Sequence, residues 1–420
     1  MSISYWQDHS KGQIIECDIC VIGGGIAGLS AVYWLQKEDP SLKISLIEKG
    51  ALGSGATGRN AGFITCGSVE HFNRLVCTHG KDKALEIWRF SELNLELLKQ
   101  EIIEPLNLDL KNYSSTYPQG FVGTNPQGFV GTNPQGLCIG FEQKGSFSLA
   151  STEEEFNELK QSHDLMKTMG IKVDVLNENE IKTRLGAENF VGGIKYIDDA
   201  SVHPIKLIEV IKSRVLKNPN IKVYEHHEVF NVDQLGENKV IHTQHKQFHS
   251  PFIVLATNAY SPLLDDYFKD KIYPTRGQIL CTEAVPPFME GPCYANFVLD
   301  YFRQLPTGEM IIGGFRQLQK DSEIGYADHT SDVIQNALEE FLDKHIPTVR
   351  GKKITHRWSG IMGFSADGQP MIGSLPKDPQ VFFSGGFTAH GLGLAFHSGK
   401  CLTDLIFDRP IPEFISARRF

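Results

Sequence analysis

Three glycines carry the first chemical signal. Gly23, Gly25 and Gly28 in GGGIAG stand at G-x-G-x-x-G spacing. The first permits a tight turn, the second lets backbone approach a pyrophosphate, and the third lets helix and strand pack closely. The helix they open, with Ile26 and Ala27 in its first turn, offers free amides and the positive end of its dipole to phosphate. Glu48 lies twenty residues after Gly28, where a carboxylate meets a ribose hydroxyl, and Lys49 follows it. An acid there disfavours a 2′-phosphate. Glycines alone also suit a packing turn, but strand, helix and acid together point to a dinucleotide.

The next segments decide which dinucleotide. From Gly50 the chain reads GALGSGATGRNAGF, where Gly50, Gly53, Gly55, Gly58 and Gly62 let backbone lie against a large flat ligand and Arg59 faces anionic oxygens. Near the other end, SGGFTAHGLGLAFHSGK sets Gly385, Gly386, Gly391 and Gly393 at a strand-to-helix turn. A second helix tip of that kind stabilises negative charge on the pyrimidine side of a reduced flavin. A nicotinamide cofactor needs neither segment, so the reading is FAD.

The elements that position these residues follow from periodicity. DICVI, the glycine-opened helix GGGIAGLSAVYWLQKE and KISLIEK from Lys43 form a βαβ unit with a parallel sheet. Helices are expected from Lys81 to about Pro105, over 151–170 with Ser151 or Thr152 as cap, over 205–216, over 331–346 and from about Leu392 to Phe407. Strands are read in IKVYEHHEV, KVIHTQHKQFH, FIVLATNAY, KIYPTRGQILCTE and YFRQLPTGEMIIGGFR. Cofactor-type segments at the start, middle and end imply two interleaved domains: 1–75, 200–262 and 350–420 for the cofactor, 76–199 and 263–349 for substrate. The octapeptide PQGFVGTN, repeated over 118–136, has too short a period for a solenoid and reads as an inserted loop or hairpin.

Composition narrows the classes. With 41 Lys+Arg against 50 Asp+Glu the 420-residue chain carries −9, which argues against nucleic acid as partner. No apolar stretch reaches the about 18 residues of a membrane span. A start without a basic, then apolar, leader and eight scattered cysteines fit a cytoplasmic protein. Cys17 and Cys20 have CxxC spacing but fall in an expected buried strand, where residues three apart face opposite sides. The histidines His226, His227, His242, His245 and His249 scatter over alternating strands, so no metal is expected. Asp367 fits a turn, and Asp198 and Asp199 are read as capping or bracing the helix near His203.

Taken together, these segments resemble the FAD-dependent D-amino-acid oxidase superfamily, which includes glycine, sarcosine and gamma-glutamylputrescine oxidases. The ordered matches are the fingerprint with Glu48, GATGRNAGF, DDASVHP, VLATNAYS, PTRGQ, IIGGFR, RWSGIMGFSADGQPMIG and GGFTAHG. GRNAGF and GFTAHG lie nearest the gamma-glutamylputrescine oxidase branch. The resemblance implies an α/β (α+β overall) fold: a Rossmann-like FAD-binding domain interleaved with a substrate domain whose antiparallel sheet roofs the flavin. It implies FAD contacts from Arg59, Asn60, Ala61, Gly62, Val229, Ala256, Gly363 and Gly386, and from His390, Gly391, Leu392 and Gly393 under the pyrimidine ring. Tyr301, Arg303, Arg316 and Trp358, with His390, are its substrate-side candidates.

Two departures from that pattern matter. Monomeric sarcosine oxidases attach flavin through a cysteine in the segment matching Trp358 to Gly363; this chain has none there, so non-covalent FAD is implied. Their carboxylate-holding lysine corresponds to Gly393. The implied reaction is hydride transfer to flavin from the carbon beside an amine or amino-acid nitrogen, hydrolysis of the imine, and return of the electrons to oxygen as peroxide. A dehydrogenase with another acceptor and a non-catalytic assembly flavoprotein are the alternatives.

Overall fold

A computed structural model describes residues 12–67, 69–106, 139–296 and 300–420; the octapeptide repeat lies outside them. A six-stranded sheet runs in the order Met371–Leu375 (β19), Asp378–Gly385 (β20), Phe252–Leu255 (β13), Ile19–Ile22 (β2), Ile44–Ile47 (β3) and Ile221–Tyr224 (β9). All but β19 are parallel. ICVI and ISLI are buried throughout, as central parallel strands covered on both faces must be. Helix α1 (Ile26–Glu38) follows β2, and α8 (Gly391–Ile406) follows β20. The two helices cross where Gly399 meets Ser30: a Cβ on Gly399 would lie 2.7 Å from that of Ser30. Trp34 Nε1 donates to Phe396 O at 2.9 Å across the same contact.

An eight-stranded sheet stands against this unit, in the order Ile354–Ser365 (β18), Ile272–Thr282 (β14), Met310–Gly313 (β17), Asp300–Gln304 (β16), Cys293–Ala295 (β15), Ser146–Ala150 (β5), Gly192–Tyr196 (β7) and Val173–Asn177 (β6). Only β15 and β5 are parallel neighbours. One face buries Leu280, Phe302 and Ile312 against Leu338 and Phe341 of α7 (Asp332–His345) and against α5 (Glu178–Leu185). A four-stranded sheet joins Ile14–Glu16 (β1), Gln247–Ser250 (β12), Asn238–Thr243 (β11) and Val229–Leu235 (β10), and a two-stranded one joins Phe63–Ile64 (β4) to Ala200–Ser201 (β8). The remaining helices are α2 (Val69–His79), α3 (Lys81–Leu98), α4 (Glu153–Thr168) and α6 (Pro204–Val215).

Several expectations need correction. The helix expected from Lys81 to Pro105 is α3 followed by a π-wound turn, Lys99–Ile103, and Gly80, at φ 81°, separates it from α2, which the periodicity did not reveal. The strand Ile354–Ser365, placed with the cofactor segments, pairs along its length with β14 and so belongs to the eight-stranded sheet. The chain bends at Asp18, before β2 begins at Ile19, so Cys17 and Cys20 do not sit on opposite faces of one strand. The Cys17 thiol is drawn down to about 7, first of all by hydrogen bonding to Cys20. The cap of α6 is the His203 side chain, which accepts from Lys206 N.

Asp199, read as a helix brace, is instead buried and accepts from Ser146 Oγ at 2.6 Å and from Cys66 N at 3.4 Å. Burial raises its pKa from 3.8 to about 7. Because the folded-state value is the higher, this carboxyl stabilises the fold fully below about pH 4, and the contribution is lost as pH rises through about 7. We therefore expect Asp199→Asn to gain on the wild type between pH 4 and 7, by up to about 4 kcal/mol, in denaturant unfolding followed across that window. A difference that stays constant with pH would contradict this.

Candidate cofactor and active site

Both glycine-opened helices begin at one edge of the six-stranded sheet. Because β2, β13 and β20 are parallel, their C-terminal ends share an edge, and α1 and α8 start there. Neither N-cap residue, Gly25 or His390, caps its helix with its own side chain; in α1 the Ile26 N–H is taken by Thr57 Oγ1 at 3.0 Å, which leaves the amides of Ala27 and Gly28. Free amides and two positive dipole ends therefore face the same crevice, the place where open α/β sheets bind ligands. A Cβ on Gly391 would meet nothing closer than 3.9 Å, and one on Gly25 only Thr57 Oγ1 at 3.0 Å, so both tips have room for a ligand.

The other glycines serve packing. Gly23, at φ 112°, would place a Cβ 2.5 Å from Ala256 O, and Gly28 would place one 1.9 Å from Gly23 O. Turn, helix and the end of β13 thus touch backbone to backbone. Glu48 at the end of β3 accepts from Gly24 N at 2.7 Å and Gly50 N at 2.9 Å, so its carboxylate stands beside the glycine turn. Lys49 Nζ lies 4.0 Å over the Tyr260 ring. His227 N donates to Glu48 O at 2.9 Å, which brings the 224–229 segment and Val229 alongside. The glycine turn, Glu48, Lys49 and the 224–229 segment thus lie together at the C-terminal edge of the sheet.

The loop Arg59–Gly62 connects this edge to the eight-stranded sheet. Asn60 is a local brace: its Nδ2 donates to Ala56 O and Thr57 O, and its Oδ1 accepts from Gly62 N. Arg59 Nη1 reaches Asp328 at 2.7 Å and Ser359 O at 2.8 Å, while Trp358 Nε1 donates to Arg59 O at 3.0 Å. Ala61 and Phe63 pack with Ile279, Ile311, Tyr301 and Trp358 on the face of the sheet opposite α7. Register explains the grouping: Trp358, Ile279, Gly313, Tyr301 and Tyr294 are successive cross-strand partners and so project from one face. Gly313 gives the Tyr301 ring its place, since a Cβ there would lie 2.5 Å from the Tyr301 hydroxyl.

The two candidate arginines have different fates. Arg303 is 2% exposed, and its Nη1 donates to Gly62 O at 3.0 Å, Val202 O at 3.3 Å and Ala61 O at 3.4 Å. Burial lowers its pKa to about 10. The expectation of a substrate-facing Arg303 thus yields to a brace that binds the cofactor loop to the sheet. Arg316 is half-buried, stacks 4.7 Å from the Phe364 ring, and has no acidic ion-pair partner among the described residues. Desolvation pulls it down and Tyr301 is among its electrostatic neighbours. It is the guanidinium left available for an anion.

Gly363 and Gly386 meet at Asn258. A Cβ on Gly363 would lie 2.4 Å from Asn258 Oδ1, and that oxygen accepts from Gly386 N at 2.9 Å. Asn258, Thr388 and Ala389 all hold positive φ, of 47°, 46° and 67°. Non-glycine residues in that region cluster where a site fixes them. Gly393 is closed to any side chain, its Cβ falling 2.2 Å from Thr65 O. A lysine cannot occupy that place, which accounts for its absence. The sequence reading missed Asn258 as a hinge between these segments, Tyr294, whose hydroxyl meets Thr65 Oγ1 at 2.7 Å, and His71, whose ring lies 4.7 Å from that of His390. Asn258 lay inside a quoted motif, whereas His71 carries no spacing signal.

Comparison with known proteins agrees with this geometry. A profile described as FAD dependent oxidoreductase, the DAO family, matches residues 18–405. The chain is 24% identical over 414 residues to the probable oxidoreductase OrdL of Haemophilus influenzae, covering 94% of this chain and 84% of that one. It is 22% identical to gamma-glutamylputrescine oxidoreductase of Escherichia coli, over 93% of this chain and 84% of that one. The crystal structure of glycine oxidase from Geobacillus kaustophilus superposes with a TM-score of 0.73 at 20% identity, covering 94% and 96% of the two chains. L-proline dehydrogenase from P. horikoshii superposes at 0.72 with 20% identity, covering 94% of each chain. With the fold, the glycine-built crevice and a match spanning residues 18–405, the chain belongs to the DAO family of FAD-dependent oxidoreductases.

Proposed function

We propose that the protein oxidises the C–N bond of a small amine or amino acid, with FAD held non-covalently at the sheet edge. The carrying observation is the pair of glycine-opened helix tips at one edge, together with an aromatic face and an arginine that has no acidic partner among the described residues. In this reading Gly23, Gly25, Ile26, Ala27, Gly28, Glu48, Lys49 and Val229 hold the adenosine and pyrophosphate. Arg59–Gly62, Ala256, Gly363 and Gly386 line the middle, and His390–Gly393 lie at the pyrimidine end. The described residues of 12–75 and 200–262 and the chain from about 366 onward form the FAD-binding unit, with Ile354–Ser365 assigned to the other sheet because β18 pairs with β14. No cysteine stands in Trp358–Gly363, which favours non-covalent binding.

Bound FAD supplies a two-electron acceptor for hydride from the carbon beside the substrate nitrogen. The chain orients and dries that step. Tyr301, Trp358, Phe63 and Tyr294 form an apolar wall that excludes water, and Arg303 keeps loop and wall together. Arg316 holds an anionic end by a bidentate pair. His390, pushed below its ordinary value by burial, stays neutral near pH 7 and adds no charge beside the amine. Oxygen is the proposed final acceptor. The relatives named for glycine and gamma-glutamylputrescine oxidation support the substrate class, and the free thiols of the described cysteines suit a cytoplasmic location.

The test is anaerobic mixing of the purified yellow protein with a panel of amines and amino acids, followed by air. Bleaching of the flavin band by one class, and peroxide formed on reoxidation, are expected; no bleaching across the panel would refute the enzymatic reading, and slow reoxidation in air would refute oxygen as acceptor. For carboxylate-bearing substrates, Arg316→Met should lower kcat/KM about 30-fold or more, since losing one partner of a buried charge pair costs about 2–5 kcal/mol. Equal losses on uncharged amines would remove Arg316 from that role.

A further inference from the structure

Two imidazoles meet at the tip of α8. His390 Nδ1 lies 2.7 Å from Thr388 O; a carbonyl only accepts, so Nδ1 carries the hydrogen and Nε2 the lone pair. His71, from α2, faces that ring with its centroid 4.7 Å away and its plane tilted by 36°. Arg74 Nη2 lies 3.0 Å from His71 Nδ1; a guanidinium only donates, so here Nδ1 holds the lone pair and Nε2 the hydrogen. The two tautomers are therefore opposite, each set by the chemistry of its partner. Thr388 and Ala389, held at positive φ, fix the backbone that delivers His390.

Burial and the Arg74 charge disfavour a proton on this pair, while the Thr388 carbonyl favours one on His390. Burial pushes His71 well down and His390 down, and the Arg74 charge acts on both in the same sense. The positive end of α8, whose first turn has no acid, adds to it. Glu70 on α2 lies 3.6 Å from Arg74, and the Gly368 turn touches Arg74, but its Asp367 is paired with Arg419. The pair is neutral around pH 7 unless a negative charge arrives at the helix tip. In the proposed function one does arrive, because a hydride brings two electrons and one proton, leaving the cofactor with one net negative charge. An anion within ~4–6 Å raises the pKa of a histidine by about 1–3 pH units.

We propose that the His71–His390 pair takes up one proton from solvent, on His390 Nε2, when the cofactor is reduced, and releases it on reoxidation. The charges balance: one anionic cofactor against one imidazolium, with two electrons and two protons gained in all. Arg74, whose Nη2 donates to His71 Nδ1 at 3.0 Å, is the positioning residue that disfavours a proton on His390 in the oxidised state. The proposal rests on FAD binding at this edge.

The experiment is anaerobic photoreduction of the holoprotein at pH 7 in weak buffer with an indicator dye, counting protons taken up per FAD. Two are expected for the wild type and one for His390→Gln, whose amide can still donate to Thr388 O. Arg74→Gln should move the pH range of uptake upward by about one unit, because the charge that disfavours a proton on His390 is removed. Uptake of one proton by the wild type, or of two by both the wild type and His390→Gln, overturns the proposal, and so does an unmoved range in Arg74→Gln. A protein that binds no FAD defeats the proposed function instead, so the two failures are distinct.

Discussion

Gly28→Ala is expected to yield protein that has lost at least ten-fold in bound FAD per chain, read as absorbance of the flavin band against protein. The new Cβ would stand 1.9 Å from Gly23 O and 3.4 Å from the Ala256 Cβ. Neither neighbour is the end of a flexible side chain. Gly23 is tied through its own N–H to Ile47 O at 2.8 Å, and Ala256 N to Ile22 O at 2.8 Å, so the turn, two strands and the helix would all have to shift. Overpacking of this kind costs about 1–3 kcal/mol and more where backbone resists. The displaced part is the helix tip proposed to offer amides to pyrophosphate, so binding is expected to fall along with stability. Gly55→Ala is the control for folding: no protein atom lies within 4 Å of its Cβ, and the unfolding midpoint should match the wild type. Wild-type flavin content in Gly28→Ala would contradict the packing argument.

A second large effect is expected at Glu323, which is fully buried with Arg276. Its carboxylate accepts from Arg276 Nη2 at 2.6 Å, Arg276 Nε at 3.0 Å and Gln278 Nε2 at 3.1 Å. Glu323→Ala leaves a guanidinium 3% exposed with only Ser322 O, Ala327 O and His329 around it. Removing one member of such a pair costs about 3–5 kcal/mol, mostly as an uncompensated buried charge. Denaturant unfolding should show that loss, and Arg276→Met combined with Glu323→Leu should recover most of it. If the single and double variants were equally unstable, the penalty would lie in packing rather than charge.

This pair also roots the segment that crosses the cofactor edge. Beyond it, Tyr326 donates its hydroxyl to Ala259 O at 3.0 Å, and Asp328 reaches both Arg59 and Ser359 Oγ. The root is buried, whereas Arg59 and Asp328 are substantially exposed and their ion pair is worth about 0–1 kcal/mol. Loss of Glu323 should therefore loosen flavin retention as well as the fold.

The legible parts of this protein were those whose signal is local. A turn that tolerates only Gly23, a helix that needs Gly28 against that turn, and Glu48 at the end of the next strand are close in sequence and obey one spacing rule. DICVI and KISLIEK are legible as the strands of a βαβ unit from their apolar runs and the glycine-opened helix between them. Arg303 and Arg316 show the opposite case. Both sit in or after strands and look alike in sequence, yet one donates to Ala61, Gly62 and Val202 carbonyls while the other stacks on Phe364 without an acid. Their difference depends on groups more than 40 residues away in each case, carbonyls for Arg303 and a ring for Arg316.

Sequence alone determined that this chain builds a βαβ crevice for a dinucleotide with a second glycine-opened helix near its end, because those constraints act within a turn of the chain. Tertiary structure alone decided that His71 meets His390, that Asn258 joins Gly363 to Gly386, and that Gly393 has no room for a lysine. Each depends on which distant carbonyl or ring fills a space of a few ångströms, and no periodicity along the chain encodes that.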